Sequence, residues 1–339
     1  MKKLISLILA AIMLFSLAAC GTANNESSAP ADTGSSDTVS KLDVNCNVYA
    51  LKGPTGIGMV SLMKNAENGE AGLNYNFNLV GDNSEIISKI SNGEADIAAV
   101  ATNVASNLYN KTSGNISVLA INTLGVLTLV TKGEEVASIE DLKGKTVYST
   151  GQGANPEYIL NYVLEKNGLK AGEDVTVEFV SQPQELVTKV VGSEKAIAVA
   201  PQPVATAITV KDTNAKIVLD MNDEWDKVSD TDLVMGCIIA RNDFINENPE
   251  AVKLFLKEYE ASIEAVNADA ASAAELCAGY EIVTPAAVAQ KAIPYCNIVY
   301  QDGAELKTNL SAYLKFLFDS NPQSIGGTLP ADSFYYEAK

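Results

Sequence analysis

The chain has 339 residues, 47% of them hydrophobic, and carries 42 acidic against 24 basic side chains, a net charge of −18 that repels nucleic acid and anionic membrane surfaces. This length exceeds what one small core needs, so two lobes are the prior expectation. There is no histidine, the usual general base and commonest metal ligand, and the cysteines beyond Cys20 show no Cys-x-x-Cys spacing, so no catalytic residue, metal ligand or cofactor motif is expected.

At the N-terminus Lys2 and Lys3 precede an apolar run over 4–19 that closes on Leu17-Ala18-Ala19-Cys20. A basic start, a short apolar stretch and small residues before a cut describe a secretory signal, because a spanning helix needs ~20 apolar residues. The ending resembles a bacterial lipobox, which makes 1–20 a lipoprotein signal peptide and Cys20 the lipidated, palmitate-bearing first residue of the mature protein. Removing the signal takes Lys2 and Lys3 with it and moves the net charge from −18 to −20. Residues 21–41, rich in Ala, Ser, Thr, Asn, Asp and Gly, have no apolar period and read as a solvated tether.

The folded part opens with a predicted strand over 44–51, followed by Gly53-Pro54-Thr55-Gly56-Ile57-Gly58 and a helix starting near Ile57. Glycines permit close backbone approach, and a helix start offers unpaired N–H groups and partial positive charge to an anionic or electron-rich group. The loop lacks the Gly-Lys-Ser/Thr ending of a nucleotide P-loop, and an ordinary strand-to-helix turn is the competing reading. Strands at 75–80 and 95–100 alternate with a helix over 84–90, which argues for a parallel α/β sheet with ligands beyond the strand carboxyl ends. Ala101-Thr102-Asn103 lies at one such end, where Thr102 and Asn103 either hydrogen-bond a ligand or cap the next helix.

An internal repeat is the most informative feature. Glu85-Ile86-Ile87-Ser88-Lys89-Ile90 recurs as Glu185-Leu186-Val187-Thr188-Lys189-Val190, and Glu94, Ile97, Ala98, Val104 and Ala105 recur at Glu194, Ile197, Ala198, Val204 and Ala205, all at an offset of 100. The glycine loop has its counterpart in Gly151-Gln152-Gly153-Ala154-Asn155, after a strand over 146–149 and before a helix over 157–166. Two lobes of one design would bring Thr55 and Thr102 on one side to face Gln152, Asn155 and Gln202 on the other. Residues 117–131 read as one long strand broken at Gly125, the expected first crossing between lobes; a second is expected over 233–239. Asn248-Pro249-Glu250 starts a long helix with proline at its first position. The tail, 272–318, is expected to be mostly helical and to pack on the first lobe, with Tyr295-Cys296-Asn297 either presenting a ring and an amide to the cleft or simply packing. Spacing alone leaves a Cys277–Cys296 pairing open.

The lipobox, Leu51-Lys52-Gly53-Pro54-Thr55-Gly56, Gly93-Glu94-Ala95-Asp96-Ile97-Ala98, Asp141-Leu142-Lys143-Gly144-Lys145 and Asn248-Pro249-Glu250-Ala251-Val252, in this order and spacing, resemble a substrate-binding lipoprotein of an ABC importer. The chain is similar to the group that binds nitrate, taurine, aliphatic sulfonates or thiamine-pyrimidine precursors. The resemblance implies an α/β type II periplasmic binding fold, with lobe one at 42–125 plus 236–339 and lobe two at 126–235, joined by two crossovers. It implies a monomer anchored by lipid to the outer side of the cell membrane, which hands a small solute to ABC permease and ATPase subunits without catalysis. Matching by position, its ligand contacts fall on Gly53, Pro54, Thr55, Gly56, Thr102, Asn103, Gly151, Gln152, Gly153, Asn155 and Gln202. A cell-surface sensor or a pyrimidine-precursor enzyme on the same fold is the alternative. These loops hold no Arg, Lys or His except Lys52, so neutral or zwitterionic solutes, or monoanions held by backbone N–H groups, are the expected class.

Overall fold

The computed structural model describes residues 41–337 and resolves the alternating pattern into two sheets. The first contains β1 (Asn45–Leu51), β2 (Asn74–Val80), β3 (Ile97–Ala101) and β4 (Ile116–Thr123). The chain then leaves for a second sheet of β5 (Leu127–Lys132), β6 (Thr146–Ser149), β7 (Thr176–Phe179), β8 (Ala196–Pro201) and β9 (Ala215–Asp220). It returns to complete the first with β10 (Gly236–Arg241) and β11 (Ile298–Gln301). The strand orders are β11-β4-β10-β3-β1-β2 and β7-β6-β8-β5-β9.

The 100-residue repeat is the reason the two orders match. In the first sheet β1 pairs in parallel with β2 and β3, and β3 then pairs antiparallel with β10. In the second, β6 pairs in parallel with β7 and β8, and β8 pairs antiparallel with β5. In each sheet the strand beside β3 or β8 has just arrived from the other sheet. The repeated helices, Asn83–Ser91 and Pro183–Gly192, bury the equivalent positions Ile86 and Ile90, Leu186 and Val190. The first is capped by Asp82, which accepts from the Ser84 N–H at 2.7 Å; the second carries proline at its start and Glu185 accepting from the Ser181 N–H at 3.1 Å. β4 is buried along its whole length, whereas β1 alternates, as expected for strands with two and one fully covered faces.

Two crossings run side by side between the sheets: 124–126, and 227–235 after the helix Met221–Asp226. The Met235 N–H donates to the Thr123 carbonyl at 3.0 Å and joins them. Gly125 has no positive φ; what it provides is room, because a Cβ there would sit 2.8 Å from Asn222 Oδ1 and 2.8 Å from Leu233 Cδ2. Gly236 is similar, with Asn122 Oδ1 at 2.6 Å and Thr55 Cγ2 at 2.7 Å from a Cβ. The tail is mostly helical, as expected, and departs from expectation in its packing. It contributes a strand, β11, and its helix Gly303–Ser320 reaches beyond the first sheet: Phe316 packs edge-on against Tyr162 (5.1 Å) and Trp225 (4.9 Å), both from the 126–235 segment. The helix therefore straddles the crossings.

Arg241 closes the far end of the first sheet. Its Nη2 donates to Asp96 Oδ1 at 2.8 Å and its Nε to the Ala95 carbonyl at 2.9 Å, while the other carboxylate oxygen of Asp96 accepts from the Asn47 N–H and Nδ2. This clasp lies where β1 and β3 begin, away from their carboxyl ends. Cys277 and Cys296 are buried free thiols, so the open pairing resolves as none.

Two outcomes follow. Gly125→Ala or Gly236→Ala overpacks the crossings and lowers unfolding free energy by about 1–3 kcal/mol in denaturant titrations. Arg241→Gln removes charge-assisted bonds from a partly buried pair and costs about 2 kcal/mol, without changing solute affinity, because the clasp is remote from the strand carboxyl ends.

Candidate functional site

The first glycine loop follows β1. Gly53, at φ 113°, turns the chain into a single helical turn, Pro54–Ile57, and a second helix, Val60–Glu67, takes over after Gly58 and Met59. The helix thus begins at Pro54, three residues before the expected Ile57, because proline occupies the first position. One turn sums few peptide dipoles, so the anion-holding end expected there is weak. Gly56 is obligatory: a Cβ would be driven into the Leu51 carbonyl oxygen. The loop is pinned to the end of β4, where Asn122 Nδ2 donates to the Thr55 carbonyl at 3.0 Å and to the Tyr259 hydroxyl at 2.9 Å. The Thr55 side chain remains half-buried, and Lys52 is paired with Glu281 at 3.5 Å on the surface.

Thr102 and Gln202, one repeat apart, hold the two crossings in the same way. The Thr102 N–H donates to the Met235 carbonyl at 3.1 Å, and the Gln202 N–H to the Val126 carbonyl at 2.9 Å. The Thr102 hydroxyl donates to Val234 O at 2.9 Å, so this fully buried residue spends both donors on the second crossing. The Gln202 amide, 3% exposed, accepts from Thr206 Oγ1 at 2.8 Å, and its Nε2 lies 3.5 Å from Thr128 Oγ1. Asn103 is half-buried beside Thr102.

The second glycine loop carries its own counter-charge. Gly151 and Gly153 take φ of 78° and 73°, and the Gly153 N–H donates to Glu157 Oε2 at 2.5 Å. A carboxylate therefore occupies the start of the helix Asn155–Lys166, the place where an anionic solute would sit. Gln152 is exposed, whereas Asn155 is 6% exposed and its buried Oδ1 has no hydrogen-bond partner. The Tyr158 hydroxyl donates to the Gly153 carbonyl at 2.7 Å and accepts from Asn321 Nδ2 at 2.9 Å, tying the loop to the tail. Among the described residues, no hydrogen bond joins this loop to the 53–56 loop.

The sequence reading missed Asp220. It ends β9 opposite Thr128 of β5 and accepts from the Asn222 N–H at 2.8 Å, capping the helix Met221–Asp226. Asn222 Oδ1 in turn accepts from the Gly125 N–H at 3.0 Å, and Asn297 Nδ2 donates to the Gly125 carbonyl at 2.6 Å. Asp220 thus lies against the first crossing, with the Asn297 amide facing it. Burial pushes its carboxyl up to about 6, while the Asn222 N–H and the Asn297 amide pull it down and Asp223 and Asp226 push it further up. The polar run over 221–231 gave no sign of this, because desolvation arises only when β9, the first crossing and Asn297 are brought together. Tyr295 stands 36% exposed in the turn before Asn297, and the helix Ala286–Ala292 approaches Val204–Lys211 of the other sheet.

The arrangement offers neutral amides and hydroxyls and one desolvated carboxylate, and it holds an acid where an anion was expected. Four of the cysteines are buried and free, and burial pushes their thiols up, Cys277 to about 12, which removes a thiolate nucleophile at neutral pH. A groove of about 690 Å³ opens at the other end of the first sheet, between Asn242, Pro249, Lys253 and Tyr335, and none of the expected ligand contacts borders it.

No curated protein matches the chain. Among solved structures, it is similar to an ABC transporter from Parabacteroides distasonis, at 21% identity over 88% of this chain and 100% of that one, with a TM-score of 0.74. It is similar also to the periplasmic aliphatic sulphonate binding protein SsuA from Escherichia coli, at 12% identity over 87% and 92% of the two chains and a TM-score of 0.68. The periplasmic nitrate-binding protein NrtA from Synechocystis PCC 6803 gives 12% identity, 82% of each chain and a TM-score of 0.58. These likenesses share the fold: two α/β sheets of related topology joined by paired crossings. Residues 69–273, more than half of the chain, match the NMT1/THI5 like family. The chain belongs to the NMT1/THI5-like family and has the type II periplasmic binding protein fold.

Proposed function

We propose that the protein is an extracytoplasmic solute-binding component of an ABC importer, tethered through Cys20, that captures a small organic solute between lobes 42–125 plus 236–339 and 126–235 and delivers it to a permease. The observation that carries this reading is the pair of crossings anchored at Thr102 and Gln202, one repeat apart, each tying a strand-end loop to the segment entering its own lobe. Such a hinge lets two matched lobes close on one solute without breaking either sheet. Gly53, Pro54, Thr55, Gly56, Asn103, Gly151, Gln152, Gly153, Asn155 and Gln202 then form the cleft walls, with Thr102 holding the second crossing behind them. Solved structures of similar fold carry names of ABC transport and of sulphonate and nitrate binding, which supports transport as the class of function. The weak first helix end and the Glu157-occupied second one disfavour those anions as cargo here.

An enzyme on this fold would need a base or nucleophile, and the chain has no histidine while the four described cysteines are buried. Cys20 and the tether, 21–41, lie outside the residues described by the structure, apart from Lys41, so anchoring rests on the lipobox. The test begins with mass spectrometry of the solute that co-purifies with the full chain. Uptake of that solute, isotopically labelled, is lost in a strain from which the protein is deleted. The full chain restores it, and the Cys20→Ala variant, released from the membrane, restores less than about a tenth at equal expression, since a freed protein is diluted away from the permease. Undiminished uptake in the deletion strain points to a surface sensor instead; conversion of the solute by the purified protein points to an enzyme.

A further inference from the structure

We propose that Asp220 is the specificity anchor of the cleft and selects an organic cation bearing N–H donors, such as an ammonium or amidinium group. This rests on the solute-binding reading and assigns the chemical class of the solute. Cross-strand partners project on the same face of a sheet, so Asp220 shares a face with Thr128, whose hydroxyl lies 3.5 Å from the Gln202 amide. Three polar side chains from β9, β5 and the end of β8 are thereby gathered at the carboxyl end of β8, where solutes bind in such sheets. The Asn297 amide of the other lobe faces the same carboxylate, and the glycine that separates the lobes is hydrogen-bonded on both sides, to Asn222 and to Asn297.

Charge points the same way. The charged groups that act on Asp220 are Asp223 and Asp226 on its own helix; Thr128 of β5, Gly125 of the crossing and Asn297 of the facing loop are uncharged. Among the described residues no Lys or Arg pairs with it, and the sole arginine is committed to Asp96. A desolvated carboxylate without a cation is a cost the empty protein carries and a cationic solute removes.

The sign of the pH dependence follows from the raised carboxyl. Its cost to folding is absent below the unfolded value of about 4 and grows to full size above about 6, where the half-buried group is charged. Asn is as good a helix cap as Asp, so Asp220→Asn keeps the cap, removes the charge and raises the melting temperature of the empty protein at pH 7.5.

The probes are acetamidinium, acetamide and acetate, and the larger benzamidinium, benzamide and benzoate. They are read by thermal shift and by fluorescence of Trp225, the only tryptophan, which is buried on the helix that Asp220 caps. In the wild type at pH 7.5 at least one amidinium binds at least about tenfold more tightly than its amide and carboxylate isosteres. At pH 5 only about a tenth of Asp220 is ionised, so that preference falls about tenfold. Asp220→Asn abolishes it at both pH values. No amidinium preference in the wild type, equal binding of amide or carboxylate, or a preference that survives Asp220→Asn overturns the proposal. If the co-purified solute is anionic yet its uptake still depends on the full chain, the Asp220 assignment falls and the transport reading stands.

Discussion

The structure depends on one short zipper of backbone hydrogen bonds, in which the two crossings lie against each other through Met235 and Thr123 and are gripped from either lobe by Thr102 and Gln202. Each lobe's fourth strand reaches it through this zipper, so neither sheet is complete without it. The small residues along it serve close approach. Gly125 and Gly236 admit Asn222, Leu233, Asn122 and Thr55 where a methyl group has no room, which makes the junction a packed pivot and not a loose linker. The aromatic contacts of Phe316 with Tyr162 and Trp225 back this junction from one side.

Around this pivot the electrostatics differ from what glycine loops alone imply. Helix starts favour anions, yet one of the two is a single turn and the other already holds Glu157. The carboxylate of Asp220 lies against the first crossing, with the Asn222 N–H and the Asn297 amide beside it and Asp223 and Asp226 nearby. In a chain of net charge −18, the proposed cleft disfavours dianions at long range and at contact. Stability and binding are also separated in space: the Arg241–Asp96 clasp stands at the beginning of β3, the junction residues at strand carboxyl ends.

Much of the fold was legible because the 100-residue repeat carries both the helix pattern, Ile86 and Ile90 against Leu186 and Val190, and the strand that follows it. Gly125 marked the first crossing correctly, though for its lack of volume and not for unusual dihedrals. The first helix starts at Pro54 and not near Ile57, because proline's fixed φ suits the first helical position and its missing N–H costs nothing there. Less was legible in the tail, where β11 is only four residues long and its pairing partner, β4, lies some 175 residues earlier. Of the site, the loop residues were visible as chemistry but not as commitments: nothing in the sequence says that Thr102 spends its donors on Val234 and Met235. Asp220 was invisible for the same reason, since its burial is made by the first crossing and Asn297, both distant in sequence.

The central claim, that two matched lobes close about this pivot, is tested most directly by the distance between spin labels at Asn92→Cys and Gly192→Cys, equivalent exposed sites on the two lobes, in a Cys20→Ala background. The four remaining cysteines are buried and leave the labels specific. The account predicts that adding the co-purified solute to stripped protein collapses a broad distance distribution into one narrow population. An unchanged distribution, with the solute shown bound by mass spectrometry, would contradict it.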